Sequence, residues 1–264
     1  MDKKNLPSLS IIIPAYKAEN FLEESLRRKL KILDEIGCEY EVIVVLDGES
    51  QRSANIVKGF TNPRLKLIHY KNNLGKGFAV TYGMRQATGD LIGYVDAGID
   101  LHEEVIRKMY LTQIETGADV VYGNKKHKRS VVDYPITRRL YSHIYHKFVK
   151  NFLGFSIRDS QTGAKLYTKA LVNEVIPRIL VKRFAFEVEI LAVAARLGFD
   201  TFVDVPVALE ADFESTVRFK DGIEAMWDTF AVFYRLRIRK YYDKEDIEWN
   251  ELMSIDSREL EFLR

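Results

Sequence analysis

Short apolar runs alternate with helical stretches through the first half of the chain, and this alternation constrains the fold more than any other feature. The β-prone runs cover residues 9–13, 40–46, 65–70 and 91–95. Segments with apolar residues at helical spacing lie between them, at residues 19–36, 50–60 and 78–87. Strands that alternate with helices at this spacing form right-handed βαβ units. The pattern therefore predicts an α/β fold with a mainly parallel central sheet flanked by helices.

The fourth apolar run ends in carboxylates, within the segment LIGYVDAGID at residues 91–100. Ligands of open α/β sheets bind outside the carboxyl ends of the strands. Asp96 and Asp100 would lie there and could hold a divalent cation against a phosphorylated ligand. Since Asp and Gly are also ordinary turn residues, the same segment could be only a polar turn.

The usual glycine-rich phosphate-binding motifs are missing from the first strand-to-helix connection. The first run is followed by Pro14, Ala15 and Tyr16 where a dinucleotide fold has G-x-G-x-x-G, and the sequence contains no G-x-x-x-x-G-K-[ST] loop. A phosphate group would therefore be held by a cation and by side chains, which again points to Asp96.

Composition narrows the classes of protein that this chain can belong to. Its 264 residues and 47% hydrophobic content are enough for a large core, and the net charge of +2 is too small to propose nucleic acid as a partner. The single cysteine, Cys38, suits a reducing compartment. Because no stretch approaches the ~18 to 20 apolar residues of a membrane span, the protein is expected to be soluble or bound at a membrane surface.

Six segments in order carry a resemblance to a known family. They are IIIPAY, VVLDGES, NNLGKGFAVTYGM, ATGDLIGYVDAGID, IRDSQTGAKLYTKAL and RFAFEVEILAVAARLG. Together they resemble the family 2 glycosyltransferases of GT-A fold. More narrowly, they are similar to the dolichyl-phosphate and polyprenyl-phosphate glycosyltransferases of the mannose synthase and glucosyltransferase types. The resemblance extends from residue 9 to residue 206.

The resemblance implies a donor site at the carboxyl ends of the strands. It places Pro14 and Tyr16 against the nucleotide base, Asp47 at the edge of the base, Lys76 near the diphosphate, and Asp96 with Ala97 in the metal-binding D-x-D motif. The implied cofactor is Mg²⁺ or Mn²⁺, bound by Asp96 with Asp100 as a helper. There are three departures from the family pattern: Gly98 replaces the second Asp, Leu46 replaces the first Asp of Asp-Asp-Gly, and Lys17-Ala18 replaces Asn-Glu.

The resemblance also implies an acceptor side. Asp159 and Gln161 would line the catalytic pocket with Asp96, and the acceptor phosphate would contact Lys125, Arg138, Ser142 and Arg218. A polyprenyl phosphate is already anionic near neutral pH and needs no catalytic base. A sugar hydroxyl would need one, such as Asp159 or Glu187. Glu187 and Glu189 are two residues apart on a predicted helix, so only one of them is expected to reach a pocket.

Two amphipathic stretches and a polar segment complete the pattern. Residues 136–152 are basic and rich in aromatics, which suits an anionic membrane surface or, equally, packing on the sheet. Residues 223–242 place Met226, Trp227, Phe230, Tyr234, Ile238 and Tyr241 on one side of a helix. The segment 157–166 is predicted to be a polar loop, and the acidic tail is predicted to be peripheral or partly disordered.

The sequence thus predicts a GT-A catalytic domain at residues 1–210, with a donor half at 9–124 and an acceptor half at 125–210. A loop and amphipathic helix at 211–242 and an acidic tail at 243–264 would follow. The predicted function is inverting transfer of a hexose from a UDP- or GDP-sugar to a polyprenyl phosphate, by a peripheral enzyme on the cytoplasmic face of a membrane. The alternatives are a soluble family 2 glycosyltransferase acting on a glycan hydroxyl and a binding module without activity. A membrane-protein partner and a homo-oligomer are both left open.

Overall fold

One mixed sheet forms the centre of the protein. The computed structural model describes residues 6–48, 50–131, 162–210, 219–244 and 260–263. Within these ranges the strands are β1 (Leu9–Ala15), β2 (Tyr40–Asp47), β3 (Leu65–Tyr70), β4 (Leu91–Val95), β5 (Val120–Asn124), β6 (Ala164–Thr168), β7 (Phe202–Pro206) and β8 (Leu260–Leu263). Their order in the sheet is β7-β5-β6-β4-β1-β2-β3-β8. The predicted α/β class is confirmed.

Helices cover both faces of the sheet. They are α1 (Leu22–Ile36), α2 (Gln51–Lys58), α3 (Lys76–Gln86), α4 (Glu104–Thr116), α5 (Lys169–Val175), α6 (Phe186–Arg196) and α7 (Phe219–Phe233). The hydrophobic core on one face includes residues of α1, α2 and α4, and the core on the other includes residues of α3, α5, α6 and α7. Side chains along β1 alternate between the two, since Ile12 belongs to one core and Ile11 and Ile13 to the other. Burial on both faces explains why these strands are continuously apolar.

The register of the parallel strands brings the predicted donor residues to the same end of the sheet. Ala15 of β1 pairs with Leu46 of β2, and Ile12 of β1 pairs with Tyr94 of β4. Tyr16, Asp47 and Asp96 therefore all lie where β1, β2 and β4 end.

The predicted polar loop at 157–166 is wrong in its last part, because β6 begins at Ala164. This strand runs antiparallel between β4 and β5. Ala164 and Leu166 pack into one core and Tyr167 into the other, while Lys165 is fully buried between them. The buried lysine gave the strand a polar appearance in the sequence.

The C-terminal part of the described chain contains one predicted helix and one strand that was not predicted. Helix α7 ends in a π-helical turn, Tyr234–Ile238. Ala225, Thr229, Val232 and Leu236 form its buried side, which confirms the predicted amphipathic helix. In the tail, β8 pairs antiparallel with β3 at the border of the sheet. The division at residues 210 and 242 stays a prediction.

Residues 136–152, predicted as a basic amphipathic helix, lie outside the described residues. Among the helices that the structure does describe, none combines the length and the apolar character that a bilayer crossing requires.

Candidate active site

A cleft of about 240 Å³ opens at the carboxyl ends of β1, β2 and β3. Its lining residues are Ala15, Tyr16, Lys17, Glu19, Leu46, Gly48, Ser50, Ser53, Lys71 and Asn73. The Tyr16 side chain is 54% exposed, so its ring is available to an incoming ligand. Pro14 lies inside β1, half-buried, and precedes the lining residues. The cleft is therefore flanked by an aromatic ring and by the basic side chains of Lys17 and Lys71.

Asp47 orders the turn that separates this cleft from helix α3. Its Oδ1 accepts the backbone N–H of Leu74 at 2.7 Å and its Oδ2 accepts that of Gly75 at 2.9 Å. Burial raises the pKa of Asp47, although these two donors oppose the shift. Both oxygens thus hold the backbone just before Lys76. The role at the base edge that the resemblance implied for Asp47 stays a prediction.

Asp47→Asn is expected to lower the free energy of unfolding by about 1–3 kcal/mol, because an amide NH₂ would face a backbone N–H that the carboxylate now accepts. Urea unfolding measures this effect. Asp200→Asn, at an exposed position, serves as the control and should stay within about 0.5 kcal/mol of the wild type. An unchanged midpoint for Asp47→Asn would show that the turn does not depend on the carboxylate.

Lys76, the first residue of α3, connects the turn to the end of β4. Its Nζ lies 2.7 Å from Asp96 Oδ1 and 3.2 Å from Glu187 Oε1. Burial alone would lower the pKa of Lys76, but Asp96 and Glu187 outweigh it and hold the pKa above its usual value. Lys76 therefore stays cationic beside Asp96, whose side chain is 40% exposed. The two residues that the resemblance assigned to the diphosphate and to the metal are in direct contact.

The loop after Asp96 carries a second carboxylate, Asp100, close to Gly98. A Cβ placed on Gly98 would lie 2.3 Å from Asp100 Oδ1, so the Asp100 carboxylate occupies the space beside the Gly98 backbone. Behind the loop, buried Lys29 donates to Gly98 O at 3.0 Å and to Ser25 Oγ at 2.5 Å. Burial lowers the pKa of Lys29 to about 8. Asp100 thus lies next to position 98, and its role as a metal ligand stays a prediction.

Gly163 packs directly against the Asp96 carboxylate. The backbone N–H of Asp96 donates to Gly163 O at 2.9 Å. A Cβ on Gly163 would lie 1.9 Å from Asp96 Oδ2, closer than any real contact. Only glycine leaves the carboxylate in its place.

Gly163→Ala is therefore expected to displace the Asp96 side chain and to lower kcat by roughly 10- to 100-fold, in line with the cost of a misplaced catalytic group. Steady-state sugar transfer measures this change. Gly59→Ala is the control, because Gly59 ends α2 in a right-handed helical conformation that alanine also adopts. Wild-type kcat in Gly163→Ala would contradict the packing described for Asp96.

Lys76 belongs to a buried ion-pair network with Glu187 and Lys165. Glu187 Oε2 lies 2.7 Å from Lys165 Nζ, and the same Nζ donates to Tyr94 Oη at 3.0 Å and to Thr162 O at 2.8 Å. Burial alone would raise the pKa of Glu187, but Lys165 and Lys76 outweigh it and hold the pKa below its usual value. Because both oxygens are engaged and the lowered pKa makes the carboxylate a weak proton acceptor, Glu187 is poorly suited to act as a catalytic base.

Glu189 faces away from Glu187, as the sequence predicted. Its Oε2 accepts the backbone N–H groups of Leu180 and Val181, and its Oε1 accepts from Arg235 at 3.0 Å and from Tyr242. Glu189 therefore joins α6 to the C-terminal helix.

The remaining predicted residues are placed as follows. Ala97 is buried, so only its backbone could meet a donor. Lys125 directly follows β5 and is half-buried. Asp159, Gln161, Arg138, Ser142 and Arg218 lie outside the described residues. Sequence reasoning missed Lys29, Lys165 and Gly163. The signal for Lys165 was a charge inside the otherwise apolar stretch of β6, whereas Lys29 lies among other charged residues of α1 and gave no such signal.

Comparison with known proteins identifies the class. The family model described as "Glycosyl transferase family 2" matches residues 10–176. The chain belongs to this family and is a glycosyltransferase.

The names of individual relatives describe more specific activities than the family name does. The chain is 26% identical over 252 residues to the dolichyl-phosphate beta-glucosyltransferase of Dictyostelium discoideum, covering 86% of this chain and 74% of that protein. It is 28% identical over 176 residues to the undecaprenyl-phosphate 4-deoxy-4-formamido-L-arabinose transferase of Shewanella sediminis, covering 66% of this chain and 52% of that protein.

Solved structures share the fold. Glucosyl-3-phosphoglycerate synthase from Mycobacterium tuberculosis, in complex with Mn²⁺, UDP and glucosyl-3-phosphoglycerate, superposes with a TM-score of 0.62 at 18% identity, covering 92% of this chain and 83% of that one. Mannosyl-3-phosphoglycerate synthase from Rubrobacter xylanophilus gives a TM-score of 0.65 at 13% identity, covering 97% and 86%. These similarities confirm the GT-A fold.

Proposed function

We propose that the chain transfers a hexose from a UDP- or GDP-sugar to a polyprenyl phosphate, with inversion, while bound peripherally on the cytoplasmic face of a membrane. The observation that carries this proposal is the contact between Lys76 and Asp96 at the end of β4, beside the cleft between Tyr16 and Asn73. A cation and a carboxylate at this position suit the diphosphate of a nucleotide sugar. The names of the relatives support the choice of a polyprenyl phosphate as acceptor.

A divalent metal fits the carboxylates at this site. Asp96 is partly exposed and Asp100 lies against the neighbouring Gly98. Mg²⁺ and Mn²⁺ prefer oxygen ligands, and Mg²⁺ binds through one or two carboxylates plus substrate phosphates. Asp96 would hold the ion with help from Asp100. When bound, the ion supplies positive charge that stabilises a departing diphosphate.

Lys76 adds a second, permanent positive charge to the site. Departure of the sugar leaves about one extra negative charge on the nucleotide diphosphate, and preorganised cations stabilise such developing charge. Glu187 and Asp96 together keep Lys76 protonated and fixed in place. Lys76 would therefore act on the leaving group without reorganising.

The acceptor side is proposed to bind phosphate and to dispense with a catalytic base. A lipid monophosphate has its second ionisation near pH 6 and attacks as an anion. Glu187, the base candidate that the structure describes, is engaged by two lysines. Lys125 together with Arg138, Ser142 and Arg218 would hold the acceptor phosphate through charge-assisted hydrogen bonds.

The direct test measures nucleotide release from a panel of UDP- and GDP-sugars with Mg²⁺ or Mn²⁺, with and without a short polyprenyl phosphate. We expect release from one donor that depends on the lipid phosphate. Release that depends instead on a free sugar acceptor would assign the chain to glycan elongation. If the protein binds the nucleotide sugar but releases no nucleotide with either metal, the chain is a binding module without activity.

A further inference from the structure

The C-terminal helix presents an apolar face to solvent. Exposed fractions along it are 44% for Met226, 71% for Trp227, 38% for Phe230, 51% for Tyr234 and 62% for Ile238. The buried residues of the same segment are Ala225, Thr229, Val232 and Leu236, so the two sets lie on different sides of it. We name these five residues the apolar face.

The helix that carries this face is joined to the catalytic domain by hydrogen bonds. Arg235 NH2 donates to buried Glu189 at 3.0 Å, and Arg235 Nε donates to Tyr242 Oη at 2.8 Å. Glu189 belongs to α6, the helix that also carries Glu187 into the active site. The apolar face is thus fixed relative to the active site.

Charge complementarity indicates what covers the apolar face. Arg237, Arg239 and Lys240 are exposed at its C-terminal end. Of the acidic residues of the helix, Glu224 pairs with Arg183 at 3.0 Å and Asp228 is half-buried. Trp and Tyr beside Arg and Lys is the composition of helices that lie in the interface of anionic bilayers.

We propose that the apolar face is a docking surface for anionic lipid, with Trp227, Tyr234 and Ile238 inserted among the acyl chains and Arg237, Arg239 and Lys240 on the headgroups. The choice of a lipid occupant rests on the proposed function, which takes its acceptor from a membrane. Docking would bring the active site to the bilayer in one orientation, because Glu189 fixes the helix to α6.

The first test measures co-sedimentation with vesicles of neutral or mixed neutral and anionic phospholipid, free of polyprenyl phosphate and donor. The triple variant Trp227→Ser, Tyr234→Ser, Ile238→Ser should bind anionic vesicles roughly tenfold or more weakly than the wild type, because most of the insertable apolar surface is gone. Leu111→Ser is the matched control, since Leu111 is 55% exposed on α4, and should bind like the wild type. Added salt should weaken wild-type binding.

The second test follows insertion directly. The chain has two tryptophans, Trp227 and Trp249, so Trp249→Phe leaves Trp227 as the single reporter. Its emission should shift to the blue with anionic vesicles and be quenched by lipids labelled in the acyl chain.

Three results would overturn the proposal: unchanged vesicle binding by the triple variant, an unshifted Trp227 emission in bound protein, or a wild-type dimer in lipid-free solution that the triple variant loses. The last would assign the face to a second copy of the chain. If the wild type binds anionic vesicles but shows no sugar transfer that depends on polyprenyl phosphate, only the proposed function is contradicted.

Discussion

Asp96→Asn is expected to lower kcat/KM for sugar transfer by a factor of about 10³, the range found when a preorganised electrostatic contact is lost. The change removes one negative charge at the end of β4 and keeps the shape of the side chain. It weakens the site for a divalent cation and takes away one of the two carboxylates around Lys76. Because Asp96 is 40% exposed, folding should be nearly unaffected. Initial rates of nucleotide release over a metal titration measure the effect.

Asp200→Asn is the matched control for this variant, since it removes the same charge at an exposed position. It should retain wild-type activity. If Asp96→Asn kept wild-type kcat/KM at every metal concentration, neither the metal nor the electrostatic role of Asp96 could stand.

Glu187→Met is expected to lower the free energy of unfolding by about 3–5 kcal/mol, because it leaves the fully buried Lys165 without its ion-pair partner. Lys76 loses less, since Asp96 remains beside it. Urea unfolding with linear extrapolation measures the change. Glu115→Met, at an exposed position of α4, should stay within about 0.5 kcal/mol of the wild type.

The double variant Glu187→Met, Lys165→Met distinguishes the contribution of the ion pair to the free energy of unfolding from the contribution of side-chain packing. It should be more stable than Glu187→Met alone, because no unpaired charge stays buried. A coupling free energy of about 2 kcal/mol or more is expected between the two positions. Strictly additive changes would contradict an ion pair between Glu187 and Lys165.

The sequence was sufficient to predict the part of the fold that local signals determine. Buried parallel strands are continuous apolar runs, so β1 to β4 could be located in the sequence. The end of β1 was predicted too early, because Pro14 lies inside the strand. The resemblance assigned Lys76 and Asp96 to neighbouring parts of the donor site, but the direct contact between them is a finding of the structure.

The support of the active site could not be predicted, because it depends on contacts between distant segments. Lys29 and Lys165 read as polar positions in the sequence, yet both are buried and hold the loop and the network beneath Asp96. Strand β6 was missed for the same reason, since Lys165 belongs to it. Gly163 gave no local signal at all, because its importance arises only from the approach of the Asp96 carboxylate.

Whether the acceptor is a lipid phosphate can be decided with a pair of acceptors that differ only in that phosphate. The protein is incubated with sugar-labelled donor, a divalent metal, and either a polyprenyl phosphate or the polyprenol of equal chain length, and labelled lipid is then extracted. The proposed function predicts labelled lipid with the phosphate alone, in a product whose anomeric configuration is inverted relative to the donor. Equal labelling of the polyprenol, or transfer to a free sugar with none to the lipid phosphate, would contradict it.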